Sequence, residues 1–284
     1  MVNKVTVSVL IAALLLGLLL VSWARVQEKS ALFFPAVDLN MTPADLGLKY
    51  EDVFFPSGRY QLHGWFIPGP GPGVVLWLHG NAGNIADRVE QATVMNQELG
   101  VSSFLMDYRG YGRSEGTPTE KGLYEDSSTA FRWLRDEKEI KPSGIILYGH
   151  SLGSAVAVDL ARGEGKKAGG LVLESPFTSA RDMARMLYNG LPVDLLMSLK
   201  LDNTGRIGGV SLPVLVIHGV DDATIPFTMG KTVFDAAPEP KTFLPIPGAD
   251  HSDCYIIGGE KYWDAWKDLL EKIGVQSPTS NVQS

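Results

Sequence analysis

The stretch Gly144-Ile-Ile-Leu-Tyr-Gly-His-Ser-Leu-Gly-Ser-Ala-Val-Ala157 leaves this chain few folds to choose from. Ile145 to Tyr148 form a short apolar run bounded by glycine, the pattern of a strand buried on both faces. Beyond Ser151, the apolar residues Leu152, Ala155, Val156 and Leu160 recur at helical spacing, so a strand, one sharp turn and a helix follow each other directly. Gly149 and Gly153 flank the serine as G-x-S-x-G. Their small size lets strand and helix approach, and the turn takes a dihedral that most residues avoid. The hydroxyl is pushed outward, where the helix starting at Leu152 aims its free N–H groups and the positive end of its dipole. Such a setting suits an oxyanion forming beside a nucleophile.

The pentapeptide by itself proves little, because Gly112-Arg-Ser-Glu-Gly116 fits it too. Thr117 and Pro118 follow that second match, so no helix can begin directly after Ser114, and context rejects it. The plain alternative for Ser151 is an ordinary turn serine before a helix, and the rest of the chain has to decide.

With 284 residues, 45% hydrophobic and 20% charged, the chain can bury one large α/β core. It carries 25 Lys plus Arg against 32 Asp plus Glu, a net charge of −7, and has no basic cluster, which argues against a nucleic-acid partner. The single cysteine, Cys254, allows no internal disulfide and reads as a small packed residue. Val5 to Trp23 is free of charge and rich in Leu, Val and Ala; as a helix it would run about 28 Å, enough to span a bilayer's hydrocarbon. Residues 1–24 are therefore expected to be a single-pass membrane anchor. The competing reading is a cleaved signal peptide, since Ser22-Trp-Ala24 loosely fits a small-x-small site. Lys4 precedes the apolar run and Arg25 and Lys29 follow it, so the positive-inside rule barely discriminates. By analogy with signal anchors, the folded domain is expected outside the cytoplasm.

Residues 25–44 mix Pro, polar and apolar groups without clear periodicity and read as a juxtamembrane connector, with Leu32-Phe-Phe-Pro35 its apolar part. Tyr60 to Ile67 alternates like a hairpin strand, Pro68 to Gly73 breaks it, and Val74 to Leu78 starts a new strand. That strand ends in His79-Gly-Asn-Ala-Gly-Asn84, a Gly-rich turn that presents backbone N–H groups where open α/β sheets bind ligands. Its spacing is not that of a phosphate loop. Val101 to Tyr108 is the next strand, and the turn after it carries Arg109 and Arg113, expected to tie the loop together. A helix from about Thr119 to Lys138 has one apolar face. Gly170 to Phe177 gives another strand, and strands alternating with helices point to a mostly parallel sheet. Ser179 to Lys200, with Met183, Met186, Leu187, Leu191, Leu195 and Met197, is either a small cap suited to an apolar ligand or a plain core helix. Strands at Pro213 and at Thr242 to Ile246 then deliver Asp221, Asp222 and His251, and a helix with Trp263 and Trp266 on one face closes the chain. Residues 275–284 are polar and are expected to be a disordered tail.

A serine hydroxyl needs a base within hydrogen-bond reach, itself oriented by a carboxylate. Of the five histidines, His79 and His218 end strands beside glycine, His63 lies early in a strand, and His150 points away from its neighbour Ser151. Only His251 occupies a loop after the last core strand, giving the order serine, acid, histidine expected of this elbow. Asp222 is the preferred acid, with Asp221 and Glu174 as alternatives.

In this order, His79-Gly-Asn-Ala-Gly-Asn84, Asp107-Tyr-Arg-Gly-Tyr-Gly112, Gly149-His-Ser-Leu-Gly153, His218-Gly-Val-Asp-Asp222 with Pro226, and Asp250-His251 resemble the α/β-hydrolases, specifically the membrane-anchored subgroup related to the α/β-hydrolase-domain protein depalmitoylases. The resemblance covers about residues 45–274. It implies an eight-stranded, mostly parallel sheet flanked by helices, an Asp222 that completes a triad with Ser151 and His251, and an oxyanion hole from the N–H groups of Asn81 and Leu152. The N-terminal region has no cysteine cluster of the palmitoylated type, so the depalmitoylase substrate does not carry over. The chemistry implied is attack by Ser151 on an ester or thioester of a small-molecule or acylated substrate, with His251 as general base and then acid, and water releasing the acyl group. It calls for no metal and no organic cofactor. A serine peptidase of related fold and a non-catalytic binding protein on the same scaffold are the competing functions; fold alone does not choose among substrates.

Overall fold

The computed structural model describes residues 3–275, so most of the tail expected to be disordered lies outside the described residues. In chain order the strands are β1 (Phe34–Pro35), β2 (Glu51–Ser57), β3 (Tyr60–Ile67), β4 (Val74–Leu78), β5 (Ala82–Gly83), β6 (Ser102–Met106), β7 (Ile145–His150), β8 (Gly170–Glu174), β9 (Val214–Gly219) and β10 (Lys241–Ile246). The helices are α1 (Lys4–Leu32), α2 (Val89–Leu99), α3 (Glu120–Asp136), α4 (Leu152–Arg162), α5 (Ala180–Leu187), α6 (Val193–Leu196), α7 (Thr204–Ile207), α8 (Phe227–Ala236), α9 (Cys254–Ile257) and α10 (Gly259–Lys272).

Eight of the strands form one sheet in the order β10-β9-β8-β7-β4-β6-β3-β2, while β1 and β5 pair apart from it. Only β3 runs against the others, joined to β2 by a tight hairpin. The central strands are apolar along their whole length because helices cover both faces. Val74, Leu76 and Leu78 of β4 face one core layer with α3 and α4; Val75 and Trp77 face the other with α2 and α10. The parallel register places Leu78 beside Gly149, His150 beside Glu174, and Glu174 beside Ile217. Carboxyl ends of β4, β7, β8 and β9 therefore share one edge, and the loops leaving that edge carry Asn81, Ser151, Ser175 and Asp222.

The apolar N-terminal segment is a helix whose candidate span, Lys4–Glu28, holds an 18-residue apolar window of mean hydropathy 2.7 with none of its residues buried in the folded domain. By length and composition it can cross a membrane, as can a signal sequence. The connector expected from residue 25 onward is more ordered than its composition implied. Helix α1 runs on to Leu32, Glu28 accepts hydrogen bonds from the N–H (2.8 Å) and hydroxyl of Ser198, and Phe33 is buried. Strand β1 then lies along β5, so the connector straps onto the turn that follows β4. Residues 179–200 form no core helix. They fold as α5 and α6 with Met186, Leu187, Tyr188, Leu191 and Leu195 in solvent.

Candidate active site

Ser151 caps α4 at φ +54° and ψ −119°, a region that a residue with a Cβ enters only when its surroundings force it. The two glycines supply that force by allowing contact. A Cβ on Gly153 would lie 1.8 Å from the Leu78 carbonyl oxygen, and one on Gly149 2.4 Å from that of Gly153. Strand and helix therefore meet at backbone distance, and the serine at their junction uses its backbone N–H on the Glu174 carbonyl (2.9 Å), while its hydroxyl has no hydrogen-bond partner among the described residues.

Its neighbour His150 points the other way, toward the loop after β10. There its Nε2 donates to the His251 carbonyl at 3.0 Å, and the Ser175 hydroxyl donates to the same oxygen at 3.2 Å. Burial first, then the nearby His251, push the His150 imidazole down to about 3, so it stays neutral and holds the tautomer that donates. The rings of His150 and His251 sit 5.0 Å apart. His251 is thus tied to the residue next to Ser151, although no bond joins Ser151 Oγ to the imidazole itself.

The imidazole of His251 donates from Nδ1 to Asp222 Oδ2 at 2.8 Å. Because the proton is on Nδ1, the Nε2 lone pair is free, and that atom has no partner among the described residues. Burial raises the Asp222 carboxyl, but hydrogen bonds from His218, His251 and the Ile225 N–H outweigh it and hold the group well below the usual carboxylate range. Oδ1 accepts the N–H groups of Thr224 and Ile225 at 2.9 and 2.7 Å, which fixes the carboxylate plane. The alternatives do other work. Asp221 accepts the Gly248 N–H at 3.0 Å, and Glu174 accepts the hydroxyls of Tyr148 (3.0 Å) and Tyr262 (2.6 Å) in a buried nest that burial drives toward the protonated form.

The turn after β4 is braced from several sides. His79 Nδ1 donates to the Gly80 carbonyl at 2.7 Å, and in a trans peptide this turns the Asn81 N–H to the opposite side. The Asn81 carbonyl accepts the Phe34 N–H at 2.9 Å and the Tyr111 hydroxyl at 2.8 Å, while its side-chain amide donates to the Leu32 carbonyl at 3.0 Å. A Cβ on Gly80 would stand 3.6 Å from Ser151 Cβ, so the turn lies against the elbow. The N–H groups of Asn81 and Leu152 both lack an acceptor among the described residues. Burial keeps His79 neutral, down to about 3, so its brace holds across the working pH range.

Other candidates are structural. Ser114 Oγ accepts the His63 N–H at 2.8 Å and donates to the Asp107 carbonyl at 2.7 Å. Arg109 binds Asp126 and Glu125, and Arg113 binds Asp52, which ties the loop as expected. Cys254 is buried, which pushes its thiol up and leaves it inert. No group of three or more metal-ligating side chains occurs among the described residues. Sequence reasoning missed His150, Ser175 and His218 as contacts of the site. Ser175, at φ +47°, gave no signal beyond its place at the end of a strand.

Residues 70–204 match a hydrolase family model described as serine aminopeptidase S33. The chain is 36% identical over 255 residues to the α/β-hydrolase domain-containing protein WAV2 of Arabidopsis thaliana, with 82% of each covered. It is 34% identical over 271 residues, 94% of each, to an uncharacterised protein of Mycobacterium tuberculosis. A lysophosphatidylserine lipase of Danio rerio is 35% identical over 187 residues, 60% of this chain and 48% of the lipase. Among solved structures, an esterase of Pyrococcus furiosus superposes with a TM-score of 0.70 at 21% identity, covering 85% of this chain and 97% of the esterase, a likeness of fold. The chain belongs to the α/β-hydrolase family, and it is a hydrolase.

Proposed function

We propose that the protein is a membrane-anchored serine hydrolase that cleaves carboxylic ester or thioester bonds. Ser151 attacks the carbonyl carbon as His251 Nε2 takes its proton, and the carbonyl electrons move onto an oxygen facing the N–H groups of Asn81 and Leu152. Collapse of that intermediate breaks the bond to the alcohol or thiol, which leaves with the proton from His251. Water, activated by the same imidazole, then frees the acid and restores Ser151. Asp222 holds the imidazole in the needed tautomer and stabilises its charged form. The observation that carries this is the 2.8 Å bond from His251 Nδ1 to Asp222, leaving Nε2 free on the sheet edge that holds the outward-turned Ser151.

Ester chemistry accords with the names of the lysophosphatidylserine lipase and the archaeal esterase. The family description also names aminopeptidases, but between β8 and β9 the chain places only α5, α6 and α7, of 8, 4 and 4 residues, which is little with which to select a peptide. Helix α1 is read as the anchor, with the folded domain on the extracytoplasmic side, and protease accessibility of sealed vesicles tests that orientation. The full-length protein, assayed against p-nitrophenyl esters and acyl thioesters of increasing chain length, is expected to hydrolyse at least one series. An aminoacyl amide cleaved in preference to every ester would replace this function with the peptidase one.

A further inference from the structure

Two of the places where the molecule exposes apolar side chains meet. One is α1. The other is the turn of chain through α5 and α6, where Leu187, Leu191 and Leu195 are 64, 56 and 58% exposed and Met186 and Tyr188 join them. Large exposed apolar patches mark binding surfaces rather than ordinary protein exterior. Three of the charges inside this segment are paired with one another, since Arg185 binds both Asp182, at 2.6 Å, and Asp194, at 2.5 Å, and the half-buried Arg181 donates to the Met197 carbonyl at 3.5 Å.

The foot of α1 is wedged between this cap and the proposed oxyanion turn. Glu28 is bonded to Ser198, just past α6, and one helical turn later the Leu32 carbonyl accepts the Asn81 amide. Trp23 on α1 is exposed and lies five residues before Glu28, about 7.5 Å along the axis at 1.5 Å per residue. Tryptophan favours the boundary between lipid and water, so a bilayer crossed by α1 ends within a side chain's reach of the cap. The bonds from Ser198 to Glu28 tie the folded domain to the end of the helix at that boundary.

We propose that the exposed face of α5 and α6 seats on the phospholipid bilayer that α1 crosses, so that the mouth of the site opens onto the lipid phase and admits acyl chains directly from it. This rests on the reading of α1 as an anchor and gives the hydrolase a substrate class, the membrane-resident acyl ester. The alternative occupant of the patch, another protein, lacks the continuity that α1 gives to lipid.

Single-cysteine variants of the full-length protein, each carrying an environment-sensitive fluorophore and reconstituted in phosphatidylcholine vesicles, test this with brominated lipids as quenchers. Cys254 is buried and stays unlabelled. The probes go at Leu15 in α1, at Leu191 in the cap, and at Lys272, which shares a small cavity of about 80 Å³ with Pro213 and Lys241 at the opposite edge of the sheet. The expected result is severalfold stronger quenching at Leu15→Cys and Leu191→Cys than at Lys272→Cys, with Leu187→Cys agreeing with Leu191→Cys. Quenching at Leu191→Cys no stronger than at Lys272→Cys overturns the proposal, and a probe there that is shielded from water yet unquenched overturns it in favour of a protein partner. Failure at Leu15→Cys as well removes the anchor and the proposal together. None of these readouts uses turnover, so they stand apart from success or failure of the esterase assay.

Discussion

Two turns in this molecule share the pattern G-x-S-x-G, Gly112 to Gly116 and Gly149 to Gly153, and the fold treats their serines in opposite ways. Both serines are buried, but the Ser114 hydroxyl is engaged by the His63 N–H and the Asp107 carbonyl, and it knits a loop. Ser151 stands at positive φ ahead of an eleven-residue helix, with an unengaged hydroxyl beside two unengaged N–H groups. The chemistry proposed for the second turn rests on what the surroundings withhold from it. A serine with every bond satisfied stabilises; one held in strain with its bonds unmade is available to a substrate.

The comparison breaks most sharply on exchange of the two serines for alanine. Ser151→Ala is expected to lower kcat by roughly 10⁴-fold or more, while Ser114→Ala leaves kcat within about twofold. Thermal unfolding should show the reverse. Loss of the Ser114 hydroxyl leaves two buried backbone groups without partners, at about 1–3 kcal/mol, or a Tm lower by several degrees. Ser151→Gly, which relieves the positive φ, should raise Tm instead. Equal loss of activity in the two alanine variants would erase the distinction.

Asp222→Asn comes next. It keeps the shape but reverses the donor on which the His251 tautomer depends, and kcat is expected to fall about 10³- to 10⁴-fold with KM little changed. A change confined to KM would place Asp222 in substrate binding. Ser175→Ala, which removes one of two donors to the His251 carbonyl, should cost no more than about tenfold, because His150 still holds that oxygen.

The smallest effect expected is on stability against pH. His79 and His150 resist protonation in the fold until about pH 3, whereas in the unfolded chain they take up protons near pH 6.5. The unfolded state therefore binds more protons as the pH falls through this window, and stability declines from about pH 6.5 downward. Asp222 acts lower: its depressed value contributes stability above about pH 3.9 that is lost only as the pH falls beneath that, toward its folded value. Urea unfolding at pH 7 and pH 5 should show a drop that His150→Gln makes shallower; an unchanged slope would remove His150 from the account.

Much of this was legible in the sequence because it depends on local pattern. The runs Val74 to Leu78, Ile145 to Tyr148 and Gly170 to Leu173 are apolar on every residue, as strands covered on both faces must be, and each stops within two residues of the end of its strand, where a loop of the candidate site begins. A place in the loop after the last core strand, downstream of the serine and the acidic turn, favoured His251 over four other histidines. Asp222 is preferred over Asp221 and Glu174, and the resemblance supports that choice, which spacing alone cannot make between neighbouring carboxylates in one turn. What stayed hidden depends on contacts far apart in the chain. The extension of α1 to Leu32 is stabilised by Ser198, 170 residues away, and nothing near Glu28 announces it. The motif from Asp107 to Gly112 could be seen but not explained until Tyr111 was found donating to the Asn81 carbonyl. The clamp of His150 and Ser175 on His251 joins three loops through side chains whose direction no periodicity encodes.

The central claim is that one particular hydroxyl, freed by its turn and served by His251, is the nucleophile. The most direct measurement is mass spectrometry of the full-length protein after reaction with a serine-directed fluorophosphonate. The account predicts a single adduct on the peptide bearing Ser151, undiminished in Ser114→Ala and absent from Ser151→Ala. An adduct on any other serine, or an unmodified protein under conditions where it hydrolyses esters, would contradict it.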